Sequence, residues 1–144
     1  MNSSAIIVDA NIAVWTTIPD PYGLGRAHMR RIMGGEVIVP GLWLYEVTST
    51  LYRHARGIAE GEAWLRRTLP AVLALADEIV PGNPELAATA GEWAIRLGQG
   101  AAYDAFYLAL AERLGAEFWT GDKRLYHRAR QVGADFVRFV SEAQ

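Results

Sequence analysis

Four acidic residues lie where their carboxylates could act together. They are Asp9, Glu46, Asp104 and Asp122. Asp9 directly follows the segment of residues 5–8, and Asp122 lies two residues after the segment of residues 118–120. Both segments are short and apolar, as buried strands are. The other two acids lie early in predicted helices. Because ligand sites in open α/β sheets form outside the carboxyl ends of the strands, these four side chains are predicted to meet at one edge of a sheet.

Carboxylates crowded together favour the binding of a cation. At an effective dielectric constant of about 20, two unit charges 4 Å apart repel by roughly 4 kcal/mol, which a bound cation can offset. The chain has no cysteine, and its three histidines share no ligand spacing, so the donors are oxygen atoms. Such a donor set indicates Mg²⁺ or Mn²⁺ rather than zinc. A metal site of this kind can activate water for phosphodiester hydrolysis.

Each acid alone also has a structural explanation. Asp9 and Asp122 could cap the helices that follow them, and Asp104 could stabilise the first turn of its helix. Glu46 could be an ordinary surface residue, since it lies off the apolar stripe of its own helix. Single positions therefore leave these alternatives open, and the functional interpretation depends on whether the four acids come together.

Neutral and basic side chains accompany the acids. Asn11 and Thr120 are predicted to donate or accept hydrogen bonds at the carboxylates or at metal-bound water. Arg53 and Arg124 are predicted to contact the phosphates of a substrate, because the guanidinium group pairs well with phosphate oxygens. Ordinary solvent-exposed arginines are the alternative.

The pattern of elements predicts an α/β fold. Five short strands are expected at residues 5–8, 36–39, 78–81, 118–120 and 135–140, and helices join each consecutive pair. This alternation is typical of a parallel sheet covered by helices on both faces. The expected architecture is a single-domain α/β/α sandwich over residues 1–144, with a five-stranded parallel sheet.

Two helices carry more specific expectations. The helix after residue 102 is predicted to present an apolar stripe of Phe106, Tyr107, Leu110 and Leu114. The helix over residues 60–76 contains Pro70, which is predicted to kink or restart it.

Composition limits the class of protein. The net charge is −2, with 13 arginines and one lysine, so the chain is not globally basic. No apolar run reaches the ~18 residues of a membrane helix. The first residues lack the features of a signal peptide, and the absence of cysteine suits a reducing compartment, so a cytoplasmic protein is expected.

The ordered set of motifs resembles a known family. IIVDAN, PGLWLYEV and YDAFYLALAERLGAEFWTGDKRL, with their spacing, resemble the PIN domain, and most closely the VapC-type ribonuclease toxins of bacterial toxin–antitoxin pairs. The resemblance implies a five-stranded parallel sheet and a Mg²⁺- or Mn²⁺-dependent endoribonuclease. It places Asp9, Glu46, Asp104 and Asp122 in the active site and Asn11 and Thr120 beside it. It also implies a homodimer, an RNA substrate and a small antitoxin protein as partner.

Within this hypothesis Asp9 and Asp104 bind the metal directly, and Asp122 holds a second metal ion or its waters. Glu46 orients or deprotonates the attacking water. One alternative is a haloacid-dehalogenase-type phosphohydrolase, although Asn11 stands where that class has a second aspartate. The other is a non-catalytic interaction module, in which aromatic residues such as Trp15, Trp43 or Tyr52 receive a partner helix.

Overall fold

The computed structural model describes residues 4–98 and 102–143. The expectation that the first residues lack signal-peptide features concerns residues that lie mostly outside this part. The strands are β1 (Ile6–Val8), β2 (Ile38–Pro40), β3 (Glu78–Val80), β4 (Glu117–Thr120) and β5 (Val137–Phe139). The helices are α1 (Ala10–Val14), α2 (Arg26–Ile32), α3 (Gly41–Arg56), α4 (Gly61–Leu73), α5 (Pro84–Leu97), α6 (Tyr103–Leu114) and α7 (Lys123–Gln131).

All pairings between these strands are parallel, which confirms the predicted α/β fold. β4 lies between β1 and β5, with Val8 opposite Trp119 and Phe118 opposite Val137. β2 pairs with β3 in a separate two-stranded sheet. The predicted five strands are therefore present, but they form a three-stranded and a two-stranded sheet rather than one continuous ladder.

The break between the two sheets lies between β1 and β2. In the described part of the chain, the two strands are joined by one bridge, Ile6 to Val37, and Ile6 N–H donates to the carbonyl of Glu36 at 2.9 Å. β2 begins only at Ile38, beyond the residue that bridges to β1. The predicted strand at residues 36–39 is thus shifted towards its carboxyl end, and too few residues overlap to extend the ladder.

The centre of the molecule is helix α6. Its residues Ala105 and Tyr107 through Ala111 are all buried, so the middle of the helix is enclosed on all sides rather than along the predicted single stripe, and Leu114 of that stripe is exposed. Its alanines allow neighbours to approach closely, and it contacts β1, β2 and β4. The ring of Tyr107 stacks on that of Phe118, with centroids 5.1 Å apart.

Two further expectations need correction. Helix α4 continues through Pro70, so the predicted restart is wrong, while a kink at Pro70 stays a prediction. Pro70 and Arg66, whose carbonyl loses its usual donor, are both exposed, so water can replace the missing hydrogen bond. Trp43 is 0% exposed and belongs to the core, so it offers no surface to a partner helix. None of the described helices combines the length and apolar character needed to cross a membrane.

Candidate functional site

The four acids arrive at the site from four different connections. Asp9 follows β1 and Asp122 follows β4, whereas Glu46 lies in the second turn of α3 and Asp104 in the first turn of α6. The charge of Asp104 acts on Asp9 and on Glu46, and the charge of Asp122 acts on Asp104. The structure therefore brings all four predicted carboxylates into one electrostatically coupled group.

Asp9 is the buried member of this group. Its side chain accepts a hydrogen bond from Thr120 Oγ1 at 2.7 Å, and the residue is 8% exposed. The pKa of Asp9 is raised to about 7, chiefly by burial and also by the nearby charges of Asp104 and Glu46. The hydrogen bond from Thr120 and the nearby backbone amide of Asn11, which forms no capping bond with Asp9, act in the opposite direction. Within the described residues, no Lys, Arg or His pairs with Asp9.

Thr120 connects Asp9 to Asp122. Its hydroxyl donates to Asp9 and accepts from the backbone N–H of Asp122 at 3.0 Å. The parallel pairing of β1 with β4 creates this arrangement, because Asp9 N–H donates to the carbonyl of Trp119 at 2.9 Å and so brings Thr120 alongside. Thr120 is fully buried and hydrogen-bonds a carboxylate, as the sequence predicted.

Glu46 is held by a residue that the sequence analysis did not assign to the site. Tyr107 Oη donates to Glu46 Oε1 at 2.6 Å, and the Tyr107 ring is fully buried. Burial raises the pKa of Tyr107, and the charges of Asp9 and Glu46 add to this effect, so the phenol remains a donor. Burial also raises the pKa of Glu46, while this hydrogen bond lowers it. The available signal was a tyrosine on a buried helix one turn after Asp104, since a buried phenol needs a polar partner.

Asp104 is the member of the group with the fewest local contacts. It is partly buried, and its pKa is raised mainly by desolvation and then by the charge of Asp122. It lies in the first turn of α6, as predicted, while Ala102 occupies the N-cap position. Asp104 therefore does not serve as the capping residue of its helix.

Asp9 and Asp122 both precede a helix, but only Asp122 caps one. Asp122 Oδ1 accepts a hydrogen bond from the N–H of Leu125 at 3.0 Å. Asp9 occupies the N-cap position of α1 without a side-chain capping bond. Helix capping therefore explains Asp122 but not Asp9. The cap uses Oδ1 of Asp122 and leaves its Oδ2 unused.

Asn11 supports the site through the backbone of its surroundings. Its Oδ1 accepts from the N–H of Gly121 at 3.3 Å, so its side chain contacts the β4–α7 turn rather than a carboxylate. Tyr22 Oη donates to the carbonyl of the same Gly121 at 2.5 Å. A Cβ atom at Gly121 would lie 2.1 Å from Trp15 Cζ3, which makes glycine necessary at this close approach. Gly121 and Tyr22 are site-forming residues that the sequence analysis missed.

The two arginines predicted to contact phosphate are exposed, and neither pairs with one of the four acids in the described chain. Arg53 donates to Ser49 Oγ at 2.8 Å and to Thr50 Oγ1 at 3.3 Å. It lies seven residues after Glu46, which is about 10 Å along the helix axis. Arg124 lies on the first turn of α7, and within the described chain neither arginine forms an ion pair. Their roles at phosphate stay predictions.

The donor set fits a divalent cation chemically. A buried carboxylate without a cationic partner is costly, and the group around Asp9 consists of carboxylates that repel one another. Their oxygen atoms are ligands that Mg²⁺ and Mn²⁺ accept. As the side chains stand, no set of three or more His, Asp or Glu residues in the described chain forms a ready-made metal site. Mg²⁺ is commonly held by one or two carboxylates with water as its other ligands, so a pair of these acids would be enough to hold it.

The chain is thus an α/β protein in which four acids lie together near the carboxyl edge of parallel strands. The sequence profile of the PIN domain matches residues 6–131. The chain therefore belongs to the PIN domain family, which confirms the resemblance seen in its motifs.

Solved structures share this fold. PAE2754 from Pyrobaculum aerophilum is 24% identical, with a TM-score of 0.68 over 96% of this chain and 85% of that one. VapBC2 from Rickettsia felis, bound to a DNA fragment from its promoter, is 12% identical, with a TM-score of 0.64 over 94% and 98%. Mycobacterium tuberculosis VapC20, described as a Sarcin-Ricin loop cleaving toxin, is 20% identical, with a TM-score of 0.57 over 80% and 86%. No curated protein sequence matches the chain.

Proposed function

We propose that this protein is a Mg²⁺- or Mn²⁺-dependent endoribonuclease, the toxin of a toxin–antitoxin pair. The observation that carries the proposal is the buried Asp9, which is coupled to Asp104 and Glu46 and has no cationic partner in the described chain. A purely structural role gives no reason to assemble these repelling charges. Membership of the PIN domain family and the fold shared with VapC20 support the same conclusion.

The proposed roles follow the positions of the acids. Asp9 and Asp104 hold the metal, and Asp122 contributes its free oxygen to a second ion or to coordinated water. The cation supplies positive charge that stabilises negative charge developing on the scissile phosphate.

Glu46 is the proposed general base. It accepts a proton from the attacking water as the water oxygen bonds to phosphorus and the P–O bond to the leaving nucleotide breaks. Burial raises the pKa of Glu46, which makes its carboxylate a better proton acceptor, and Tyr107 fixes its orientation.

We further propose RNA as the substrate, a small antitoxin protein as the inhibitory partner, and a homodimer as the assembled form. The structural likeness to VapBC2 from Rickettsia felis and to VapC20 supports the first two. The homodimer rests on the resemblance to VapC-type toxins, and the proposed cytoplasmic localisation rests on the absence of cysteine, which suits a reducing compartment. Arg53 and Arg124 are proposed to contact the RNA backbone, because both guanidinium groups are exposed.

Cleavage of total RNA by the purified protein tests this function. We expect discrete fragments with Mn²⁺ or Mg²⁺, no cleavage with a chelator, and no cleavage by Asp104→Asn prepared identically. Raised thermal stability in Mn²⁺ for wild type alone would show that the metal binds at these acids. Equal cleavage by wild type and Asp104→Asn would mean that the activity is a contaminant, and the proposal would fail.

A further inference from the structure

An apolar groove of about 620 Å³ adjoins the carboxylates. It lies at the carboxyl ends of β2 and β3, between the first turns of α3 and α6. Its walls include Tyr45, Tyr103, Phe106 and Ile79. All described residues that line it are uncharged, in contrast to the acidic group beside it.

The groove and the acidic group share their supporting helices. Tyr45 directly precedes Glu46 on α3, and Tyr103 directly precedes Asp104 on α6. Consecutive Cα atoms are about 3.8 Å apart, so the backbone of each tyrosine lies next to the backbone of a carboxylate. The lining of the groove therefore begins one residue away from Glu46 on α3 and from Asp104 on α6.

Both tyrosines are unusually exposed for large aromatic residues. Tyr45 is 70% exposed and Tyr103 is 65% exposed, so their rings project into the groove and the solvent instead of the core. Such rings provide flat faces on which a planar ligand can stack. The aliphatic walls add a surface that favours an uncharged, apolar ligand.

From this arrangement we infer that the groove is a nucleobase-binding subsite, in which Tyr45 and Tyr103 stack on a base next to the cleaved phosphate. The inference rests on the proposed ribonuclease function. Phosphate has no cationic or charged partner among the described lining residues, whereas a neutral base is matched by aromatic and aliphatic contacts. The base occupies the groove while the phosphate of the same nucleotide faces the metal-binding acids.

The subsite has a definite consequence for substrate choice. Stacking tolerates every base, because each base has a π-face, so the groove contributes affinity for single-stranded RNA rather than recognition of one base. A nucleotide paired within a duplex cannot enter it. The subsite thus favours cleavage in loops and unpaired segments.

Binding of a short, fluorescein-labelled single-stranded RNA, measured by anisotropy in the presence of a chelator, tests the subsite separately from cleavage. Each of Tyr45→Ala and Tyr103→Ala is expected to weaken binding by roughly 5- to 100-fold, the range for loss of one base-stacking ring. Tyr45→Phe and Tyr103→Phe keep the ring and should bind as wild type does.

Tyr52→Ala is the matched control. Tyr52 is 50% exposed on the same helix as Tyr45, and it does not line the groove. Its replacement should leave RNA binding unchanged, and an RNA of abasic riboses should bind wild type and Tyr45→Ala equally.

The outcomes separate the two proposals. Wild-type binding by both alanine variants would overturn the subsite, leave the nuclease proposal intact and assign the groove to a protein segment instead. If the alanine variants lose binding but wild type shows no metal-dependent cleavage, the result would support the subsite and contradict the nuclease proposal. Equal losses in Tyr45→Phe and Tyr45→Ala would contradict stacking as the mechanism.

Discussion

Asp9 and Asp122 stand in the same local setting but serve different purposes. Each follows a strand, β1 or β4, and each occupies the N-cap position of the next helix with an extended backbone. The two strands are paired neighbours. Nevertheless, Asp122 binds the N–H of Leu125 and caps α7, whereas Asp9 makes no capping bond and turns to Thr120.

The surroundings explain the difference. Thr120, at the end of the neighbouring strand, offers Asp9 a buried hydroxyl donor, and the five-residue helix α1 is stabilised by packing, since four of its residues are buried. Asp122 is less buried and starts a nine-residue helix. A short-range pattern of strand, acid and helix thus identifies where a carboxylate lies, while its long-range neighbours decide what it does.

The largest expected effect comes from Asp9→Asn. Its cleavage should be abolished, and without metal its fold should be more stable than wild type at pH 8. The pKa of Asp9 is about 7 in the folded state, against 3.8 as the ordinary value, so the folded state holds more protons between these values. Stability therefore falls as pH rises through this window, by on the order of 4 kcal/mol when the penalty is complete.

Urea unfolding of wild type and Asp9→Asn at pH 5 and pH 8, both with a chelator, measures this difference. The variant retains Glu46 and Asp104, so the contrast between the two proteins isolates Asp9. An identical pH dependence in both proteins would show that Asp9 is not a buried, destabilising charge, and the comparison with Asp122 would lose its basis.

Thr120→Val tests the link between the two acids. The substitution keeps the shape but removes the donor to Asp9 and the acceptor for the Asp122 N–H. Leaving these buried groups unpaired should cost about 1–3 kcal/mol in unfolding free energy and reduce cleavage. Thr120→Ser retains the hydroxyl and should recover most of both. Loss of activity in Thr120→Ser equal to that in Thr120→Val would argue against the hydrogen bonds as the cause.

The smallest effect separates the capping acid from the non-capping one. Asp122→Ala removes the bond to Leu125 and should cost about 1 kcal/mol of stability, while Asp122→Asn keeps an N-cap acceptor and should not. At Asp9 no capping bond is lost. Chemical denaturation of both Asp122 variants in chelator checks this, and equal stabilities would mean that the cap contributes nothing.

Local chemistry made part of this molecule predictable from its sequence. The five strands and the two acids that follow β1 and β4 were predictable from short apolar runs bounded by acids, glycine and proline, and the parallel direction from the helices that join the strands. The alternative that Asp122 caps the following helix also depended only on nearby residues. These features depend on residues a few positions apart, so the sequence displays them directly.

Other features depend on residues that are distant in the chain. Tyr107 and Glu46 are 61 positions apart, and their hydrogen bond exists only because α3 and α6 converge. Asn11 binds the backbone of Gly121, 110 positions away, instead of a carboxylate. Burial of Trp43 likewise depends on the packing of α3 in the core. No periodicity within one segment contains this information.

The boundary between the two sheets, called the seam below, runs through the acidic group. Asp9 and Asp122 are anchored to the β1–β4–β5 sheet, whereas Glu46 is anchored through β2 to the other sheet. In the described chain, the strands across this seam share one bridge, with the Ile6–Glu36 hydrogen bond beside it. The spacing between Asp9 and Glu46 is therefore set by helix packing, of α1 against α3 and of α6 against β1 and β2, more than by a continuous ladder. Hydrogen exchange at the Ile6 amide would test whether the two sheets separate at this boundary.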